Sequence, residues 1–374
     1  MHVLVVLTYG VSFSDWKNNG LLERELLIYE KIEKESDVKF SFLSFGNEED
    51  KELVKNFEVF PIFDYYDKKN NKFLNFLQSL FLPFKLKKIM KKPDIIKTNQ
   101  LMGAWTAIVC KLLYSVPLIV RTGYDIFRFS IYEKKSLKKR VMYFLLTQIA
   151  IIFSNVYIVS SKTNKIFLHK FFLFSKNKVM VLPNWVDTSY IFEQSKILSR
   201  QKDRILSVGR LEAQKNYPLL IKSFENSDIE IDIVGSGSEK QKLKNLANSL
   251  NVNLNFLGNI PNNELLNIYK NYMIYISSSS YEGNSKSILE AKAAGCMTFA
   301  IDTPNNKEII NDGHDGFLYR DKSQLIEILN DILKNDKKIL EISNNALKNV
   351  DANNSLKFIS NSELNIYRRL NSRD

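Results

Sequence analysis

The sequence is poor in the residues that build metal centres and disulfide frameworks, with two cysteines and three histidines in 374 residues. Cys110 and Cys296 stand alone in apolar stretches that read as helical, so both are expected as reduced core residues. His2, His169 and His314 are scattered and no Asp-x-Asp stands at a strand end, so no dedicated metal site is expected. The turn Asp312-Gly-His-Asp315 is the nearest approach to one. Only 13 glycines and 8 prolines occur, which argues against long flexible linkers and low-complexity tracts. Long apolar runs are missing as well. A membrane-spanning helix needs roughly 18 uncharged apolar residues, and the nearest run, "VMYFLLTQIAIIF" at 141–153, is interrupted by a Thr and a Gln. It reads as a buried helix, although the preceding "EKKSLKKR" would suit a surface-bound one. The opening "MHVLVVLTYG" has no basic leader and reads as a first β-strand rather than a signal peptide.

Acidic residues are outnumbered, 41 against 53 Lys and Arg, for a net charge of +12. Such an excess implies an anionic partner: nucleic acid, an anionic membrane surface or a phosphorylated substrate. The 45% hydrophobic and 25% charged fractions are those of an ordinary globular chain, and the length suits two domains.

Short β-branched runs alternate with longer amphipathic stretches. "VLVVL", "VKFSFLSF", "FEVFPIF", "PDIIKT", "PLIVRT", "NVYIVSS" and "KVMVLP" form a first series; "RILSVGR", "IEIDIVGSG", "VNLNFLGNI", "MIYISSS" and "MTFAID" form a second. Strand-helix alternation of this kind predicts an α/β protein of two tandem, doubly wound Rossmann-like domains with mainly parallel sheets. The expected domains are 1–188 and 200–354, joined by the polar stretch "TSYIFEQSKILSRQKD", with 355–374 as a C-terminal docking helix carrying Leu356, Ile359, Leu364, Ile366 and Tyr367. Ligands in such sheets lie beyond the carboxyl ends of the strands, so the cleft between the domains is the expected site.

Two clusters carry chemistry. In "SSSSYEGNSKSILEAKAAGC" a strand gives way to a helix near Ser285, and the free N–H groups of a helix start attract phosphate. Asn284, Ser285, Lys286 and Ser287 suit a diphosphate there. Glu282 and Glu290 flank that point, and as acceptor-only carboxylates they suit sugar hydroxyls; helix capping and surface exposure are the plain alternatives. In "SVGRLEAQKNYPLLI" a strand ends at Gly209, and Arg210 and Lys215 supply two cations beside the next helix, or else a solvated basic loop. "IVGSGSEKQKL", with Gly235 and Gly237, lacks the third glycine of a dinucleotide fingerprint. Glu308, on a short helix after a strand, is read as a second wall of the donor site.

These residues, in this order, resemble the retaining nucleotide-sugar glycosyltransferases of family 4, which have the GT-B fold. The likeness is strongest from "VLPNWVD" through "GRLEAQKN", "EGNSKSILEAKAAG" and "NKEIINDGHDGFLY". It implies an acceptor-binding first domain, a donor-binding second domain facing it across a cleft, and a last helix crossing back to the first. It makes Arg210 and Lys215 the cations on the leaving diphosphate, gives Glu282 the donor sugar and Glu290 the ribose, and closes the loop carrying Gly10 over the phosphates. In "RTGYD", Tyr124 stands where many relatives have a histidine, so only Asp125 matches a catalytic pair.

The implied reaction moves a sugar from a nucleoside diphosphate-sugar to a glycan or lipid-linked hydroxyl in bacterial envelope polysaccharide synthesis. No cofactor is expected beyond that co-substrate, since fixed positive charge on the leaving group suffices without a metal. The basic, aromatic segment 72–92 and "EKKSLKKR" suit either an anionic membrane surface or an ordinary core-facing helix with a solvated lysine face; the expected protein is cytoplasmic and, on the first of these readings, peripheral to the inner face of the membrane. Competing readings are a sugar-nucleotide epimerase of related fold, a dehydrogenase, which lacks its Gly-x-Gly after the first strand, and a non-catalytic binding protein. Nucleic acid is not expected as a partner, because no recognised binding module appears.

Overall fold

The computed structural model of the protein describes residues 1–188 and 196–372. The polar joining stretch falls partly at 189–195, outside the described residues. Chain contacts divide the protein into two units: Met1–Leu182 together with the last helix from Ser360, and Pro183–Ile359.

The first unit is a seven-stranded parallel sheet of β1 (His2–Val6), β2 (Lys39–Ser44), β3 (Glu58–Pro61), β4 (Ile95–Thr98), β5 (Leu118–Thr122), β6 (Val156–Val159) and β7 (Val179–Val181), in the order β3-β2-β1-β4-β5-β6-β7. The second is a six-stranded parallel sheet of β8 (Gln201–Val208), β9 (Glu230–Val234), β10 (Asn253–Gly258), β11 (Tyr272–Ser277), β12 (Met297–Ile301) and β13 (Phe317–Tyr319), in the order β10-β9-β8-β11-β12-β13. Parallel strands covered on both faces are apolar throughout rather than alternating. Accordingly "VLVV" in β1 and all six residues of β11 are buried. Every strand-like run named above forms a strand, whereas β13, directly after the turn at Gly316, is not among those runs.

In each sheet the winding reverses once, between β1 and β4 and between β8 and β11. At the second reversal, Ile205 and Leu206 of β8 pair in register with Ile274 and Tyr275 of β11. The connections leaving these two strands therefore diverge from a shared point at their carboxyl ends, which is where doubly wound sheets open a crevice.

The unit boundary falls at 182 rather than 188 because Val186 bridges to Ser355, and Asn184 bonds to both Asn284 and Asn354. Helix Leu356–Asn371 carries the expected apolar stripe, with Ile359, Leu364, Ile366 and Tyr367 buried. Helix Leu137–Phe153 departs from the expectation of a buried element. Thr147, Ala150 and Ile151 are covered, but Leu137, Val141, Leu145, Ile149 and Ile152 face solvent.

Candidate donor site at the switch point of the second unit

Beyond β8 the chain turns through Gly209 and Arg210 into a short 3-10 segment, Ala213–Lys215, and Asn216 at φ 48° redirects it into helix Tyr217–Ser223. Beyond β11, residues 278–284 lead into helix Lys286–Ala293. Three hydrogen bonds lock the two loops together. Ser278 Oγ donates to the Lys215 carbonyl (2.7 Å), Ser280 N to the Gln214 carbonyl (3.0 Å), and Gln214 Nε2 to the Tyr281 carbonyl (2.9 Å). The consequence is an ion pair between Lys215 Nζ and Glu282 Oε1 at 2.6 Å, with the two side chains only 16% and 12% exposed.

That arm lies across Gly209, where a Cβ would come within 2.6 Å of Lys215 Cε and push it aside. Gly235, at φ +142°, is required by Gly209 in turn, since a Cβ would lie 2.1 Å from the Gly209 carbonyl oxygen. The glycine in "IVGSG" thus serves close loop packing against the strand end that carries Arg210. Arg210 itself is exposed. Tyr217 donates from its hydroxyl to the same Gly209 carbonyl (3.1 Å), fixing the turn from below.

Ser285 is the N-cap of helix Lys286–Ala293, but its side chain makes no capping bond and instead lies 3.2 Å from Ser287 Oγ. The N-cap side chain thus does not turn onto the first helical turn, and N–H groups at a helix start favour a bound anion. Asn284 is held by Asn184, whose N donates to its Oδ1 (2.9 Å) and whose Nδ2 donates to its carbonyl (2.7 Å). Lys286 Nζ stands 5.3 Å from the centroid of the Trp185 ring, a cation–π contact. Glu290 is 4% exposed, and its two oxygens accept from Asn262 Nδ2 (3.0 Å) and the Tyr269 hydroxyl (3.2 Å).

The wall after β12 is pinned from inside. Asn305 Nδ2 donates to the Gly283 carbonyl (2.8 Å), and the fully buried Lys292 pairs with Asp315 (3.0 Å) while donating to the Ile309 carbonyl (2.5 Å). Burial lowers the Lys292 pKa, with Asp315 opposing that shift. Asp315 is thereby committed to a lysine, and Asp312 accepts from Leu318 N (2.8 Å). Among the described residues no group of three His, Cys, Asp or Glu side chains gathers in a way that would hold a metal ion. Glu308 lies exposed at the end of the short helix Asn306–Glu308.

Gly10 and Asp125 belong to the first unit. Gly10 is exposed at φ +75° in the turn after β1. Asp125, after β5, is 2% exposed; its Oδ1 caps helix Ile126–Tyr132 by accepting from Arg128 N (2.7 Å), and its Oδ2 is buried without a partner. Tyr124 is exposed and stacked on Phe129 (5.2 Å). Burial pushes the Asp125 carboxyl up to about 6, against the bond from Arg128 N. A carboxyl raised in the folded state binds its proton more tightly there than in the unfolded chain. Stability therefore falls as pH rises between about 4 and 6 and stays lowered above. Asp125→Asn keeps the cap and removes the charge, so it is expected to raise stability at pH 8 by up to ~3 kcal/mol and to change little near pH 4. Equal melting temperatures of the two proteins at pH 8 would refute this.

Asn184, Gln214, Asn262, Tyr269, Ser278 and Asn305 escaped sequence reasoning. "VLPNWVD", "SVGRLEAQKNYPLLI" and "SSSSYEGNSKSILEAKAAGC" contained Asn184, Gln214 and Ser278 without revealing their tasks, and Asn262, Tyr269 and Asn305 had no local signal.

Two doubly wound parallel units in tandem, with the second unit's crevice at its switch point, define the GT-B architecture. Residues 42–190 match the family model described as Glycosyltransferase Family 4, and residues 191–349 the one described as Glycosyl transferases group 1. The chain belongs to the family 4 glycosyltransferases. An uncharacterized glycosyltransferase of Haemophilus influenzae is 27% identical over 180 residues, 46% of this chain and 50% of that protein. The chain spans half or less of the length of the first curated relatives it matches. A Campylobacter jejuni α-1,4-N-acetyl-D-galactosaminyltransferase, named for a saccharide acceptor on PP-undecaprenol, is 24% identical over 88% of this chain and 90% of its own. Among solved structures, Anabaena HepE in complex with UDP superposes with a TM-score of 0.74 at 17% identity, covering 99% of this chain and 100% of that one.

Proposed function

We propose that the protein transfers a sugar, with retention at the anomeric carbon, from a nucleoside diphosphate-sugar to a hydroxyl of a glycan or lipid-linked saccharide. The observation that carries this is Lys215 held against Glu282 beside the start of helix Lys286–Ala293, at the crevice of the second sheet. When the bond between the anomeric carbon and the diphosphate breaks, negative charge grows on the departing oxygen, and preorganised cations lower that barrier. Arg210 and Lys215 supply the charge, and the N–H groups at Lys286 and Ser287 receive the phosphates. Glu282 and Glu290 take hydroxyls of the donor sugar and the ribose, with Asn262 and Tyr269 fixing the Glu290 carboxylate. On this reading the chemistry proceeds without a metal. Glu308 lines the donor site. The HepE complex with UDP favours a uridine donor. The undecaprenol-linked acceptor of the Campylobacter relative favours envelope polysaccharide synthesis at the inner face of the cytoplasmic membrane. No described helix is long and apolar enough to cross a membrane.

Thermal-shift screening against UDP, GDP, ADP, TDP and CMP in EDTA tests this reading. A ligand at 100 times its Kd stabilises the folded state by about 2.7 kcal/mol, so one diphosphate is expected to raise the melting temperature by several degrees (~2–4 °C per kcal/mol). No shift with any of them in folded protein would overturn it.

A further inference from the structure

The charge of the chain is concentrated in one segment. Residues 68–178 contain 22 Lys and Arg against three acidic residues, Asp94, Asp125 and Glu133. Set against 53 and 41 for the whole chain, this leaves the remainder net negative. The same segment holds 19 of the 21 large hydrophobic side chains that are exposed among the described residues, the others being Leu257 and Phe358. Scattered exposed apolar residues are normal, but a concentration in one basic segment marks an interaction surface.

Topology gathers these residues on one side. The connections β3 to β4, β4 to β5 and β5 to β6 all step in the same direction across the first sheet, so right-handed crossovers put their helices on one face. Trp105 Nε1 and Thr106 Oγ1 both bond to Ser79 (3.1 Å each), joining helix Ala104–Tyr114 to helix Lys72–Leu86. Helix Leu137–Phe153 is joined to the segment after helix Lys162–Phe171 by a reciprocal pair of bonds between Gln148 and Leu173 (3.2 and 3.0 Å) and by stacking of Phe144 on Phe172 (4.9 Å).

The outer stripe of helix Leu137–Phe153 is Leu137, Val141, Leu145, Ile149 and Ile152, spaced to share one helical face. Beside it project Leu173, 70% exposed, and Phe174, 66% exposed. Phe174 adopts φ +61°, a conformation that costs a bulky residue energy with no burial in return. Lys134, Lys135, Lys138 and Lys139 crowd the helix start, and Lys170 and Lys176 flank the turn.

We propose that this stripe, with the Leu173–Phe174 turn, docks the protein on an anionic lipid bilayer, the apolar side chains entering the acyl boundary and the lysines meeting headgroup phosphates. Basic residues rimming an apolar helix face match that surface. Nucleic acid would use the charge but not a stripe of Leu, Val and Ile, since single strands are bound by aromatic stacking. A second copy of the chain would bring like charge against like. The proposal rests on the membrane-side reading of the function, and it assigns that contact to one face.

The test is co-sedimentation of the full chain with vesicles of phosphatidylglycerol and phosphatidylcholine, and with phosphatidylcholine alone, alongside the UDP thermal shift. Binding is expected only with phosphatidylglycerol, weakening as salt rises. Leu145→Gln/Ile149→Gln/Leu173→Gln and, separately, Lys138→Glu/Lys139→Glu are each expected to lower partitioning at least ten-fold. The UDP shift should be unchanged, because every altered side chain is exposed. A Leu145→Trp variant should show an emission blue shift on anionic vesicles alone. No binding by the unaltered chain, equal binding by the triple variant, or loss of vesicle binding to a random oligonucleotide competitor would overturn the proposal. Vesicle binding without any nucleotide shift would leave this face standing and remove the transferase reading.

Discussion

Lys215→Ala is expected to lower transfer by about 10²–10³-fold in kcat, the loss typical when one preorganised charge-stabilising group is removed. Lys215 Nζ is held 2.6 Å from Glu282, and its stem crosses Gly209 so closely that a methyl group there would collide with it. Such a side chain is positioned before substrate arrives, so its charge needs no reorganisation when the diphosphate leaves. Glu282→Gln removes the partner that holds it and the acceptor for the donor sugar, so a loss of similar size follows. The double variant should cost much less than the product of the single losses, because the two side chains act as a unit. Both are partly exposed and neither belongs to the core, so melting temperatures should move by only a few degrees. Unchanged turnover in both single variants would remove the site assignment.

The largest expected effect on stability lies in the first unit. Lys97 of β4 and Glu363 of helix Leu356–Asn371 form an ion pair with side chains 2% and 1% exposed. The Tyr367 hydroxyl donates to the same carboxylate, and Lys97 also reaches the Tyr29 hydroxyl (3.5 Å) and lies 4.8 Å from that ring's centroid. Burial alone would raise the Glu363 pKa, but Lys97, Arg121 and Tyr367 outweigh it and hold the carboxyl below its usual range. A depressed carboxyl contributes stability above its ordinary pKa and loses it as pH falls through the lower, folded-state value. Removing one partner strands the other charge in the interior, so Lys97→Met or Glu363→Gln should each destabilise the first unit by roughly 3–5 kcal/mol. Lys97→Met/Glu363→Gln, which removes both charges, should recover most of that. Calorimetry resolves the transitions of a two-unit chain; single variants as stable as the parent would contradict the argument.

The sequence made the sheets legible because buried parallel strands are largely apolar, so runs such as "VLVVL" and "MIYIS" stand out against polar turns. β13 did not: β7 is equally short, but its run "KVMVLP" is β-branched, whereas the "FLY" of β13 follows directly on the turn "NDGHDG". The two strand-helix junctions of the donor site were legible for a chemical reason: small and charged residues after a strand have few structural uses. Their supports were not. Tyr269 and Asn262 meet Glu290 only through the fold, and nothing in "PDIIKT" announces that its lysine will meet a glutamate 266 positions later. The docking-helix reading of the last segment used its apolar stripe and passed over Glu363. Helix Leu137–Phe153 misled because an apolar run predicts burial, whereas here its outer stripe faces solvent beside a basic flank.

The central claim is that the loops after β8 and β11 in the second unit hold a sugar nucleotide for transfer. Its most direct test is acceptor-dependent release of nucleoside diphosphate in EDTA. The donor carries the base found by thermal shift, the acceptor is a polyprenyl-diphosphate saccharide, and Lys215→Ala serves as control. The account predicts release that requires acceptor, a product retaining the anomeric configuration of the donor, and a Lys215→Ala protein slowed at least a hundred-fold. A folded protein that releases no diphosphate with any donor and acceptor, or a Lys215→Ala variant as fast as the parent, would contradict it.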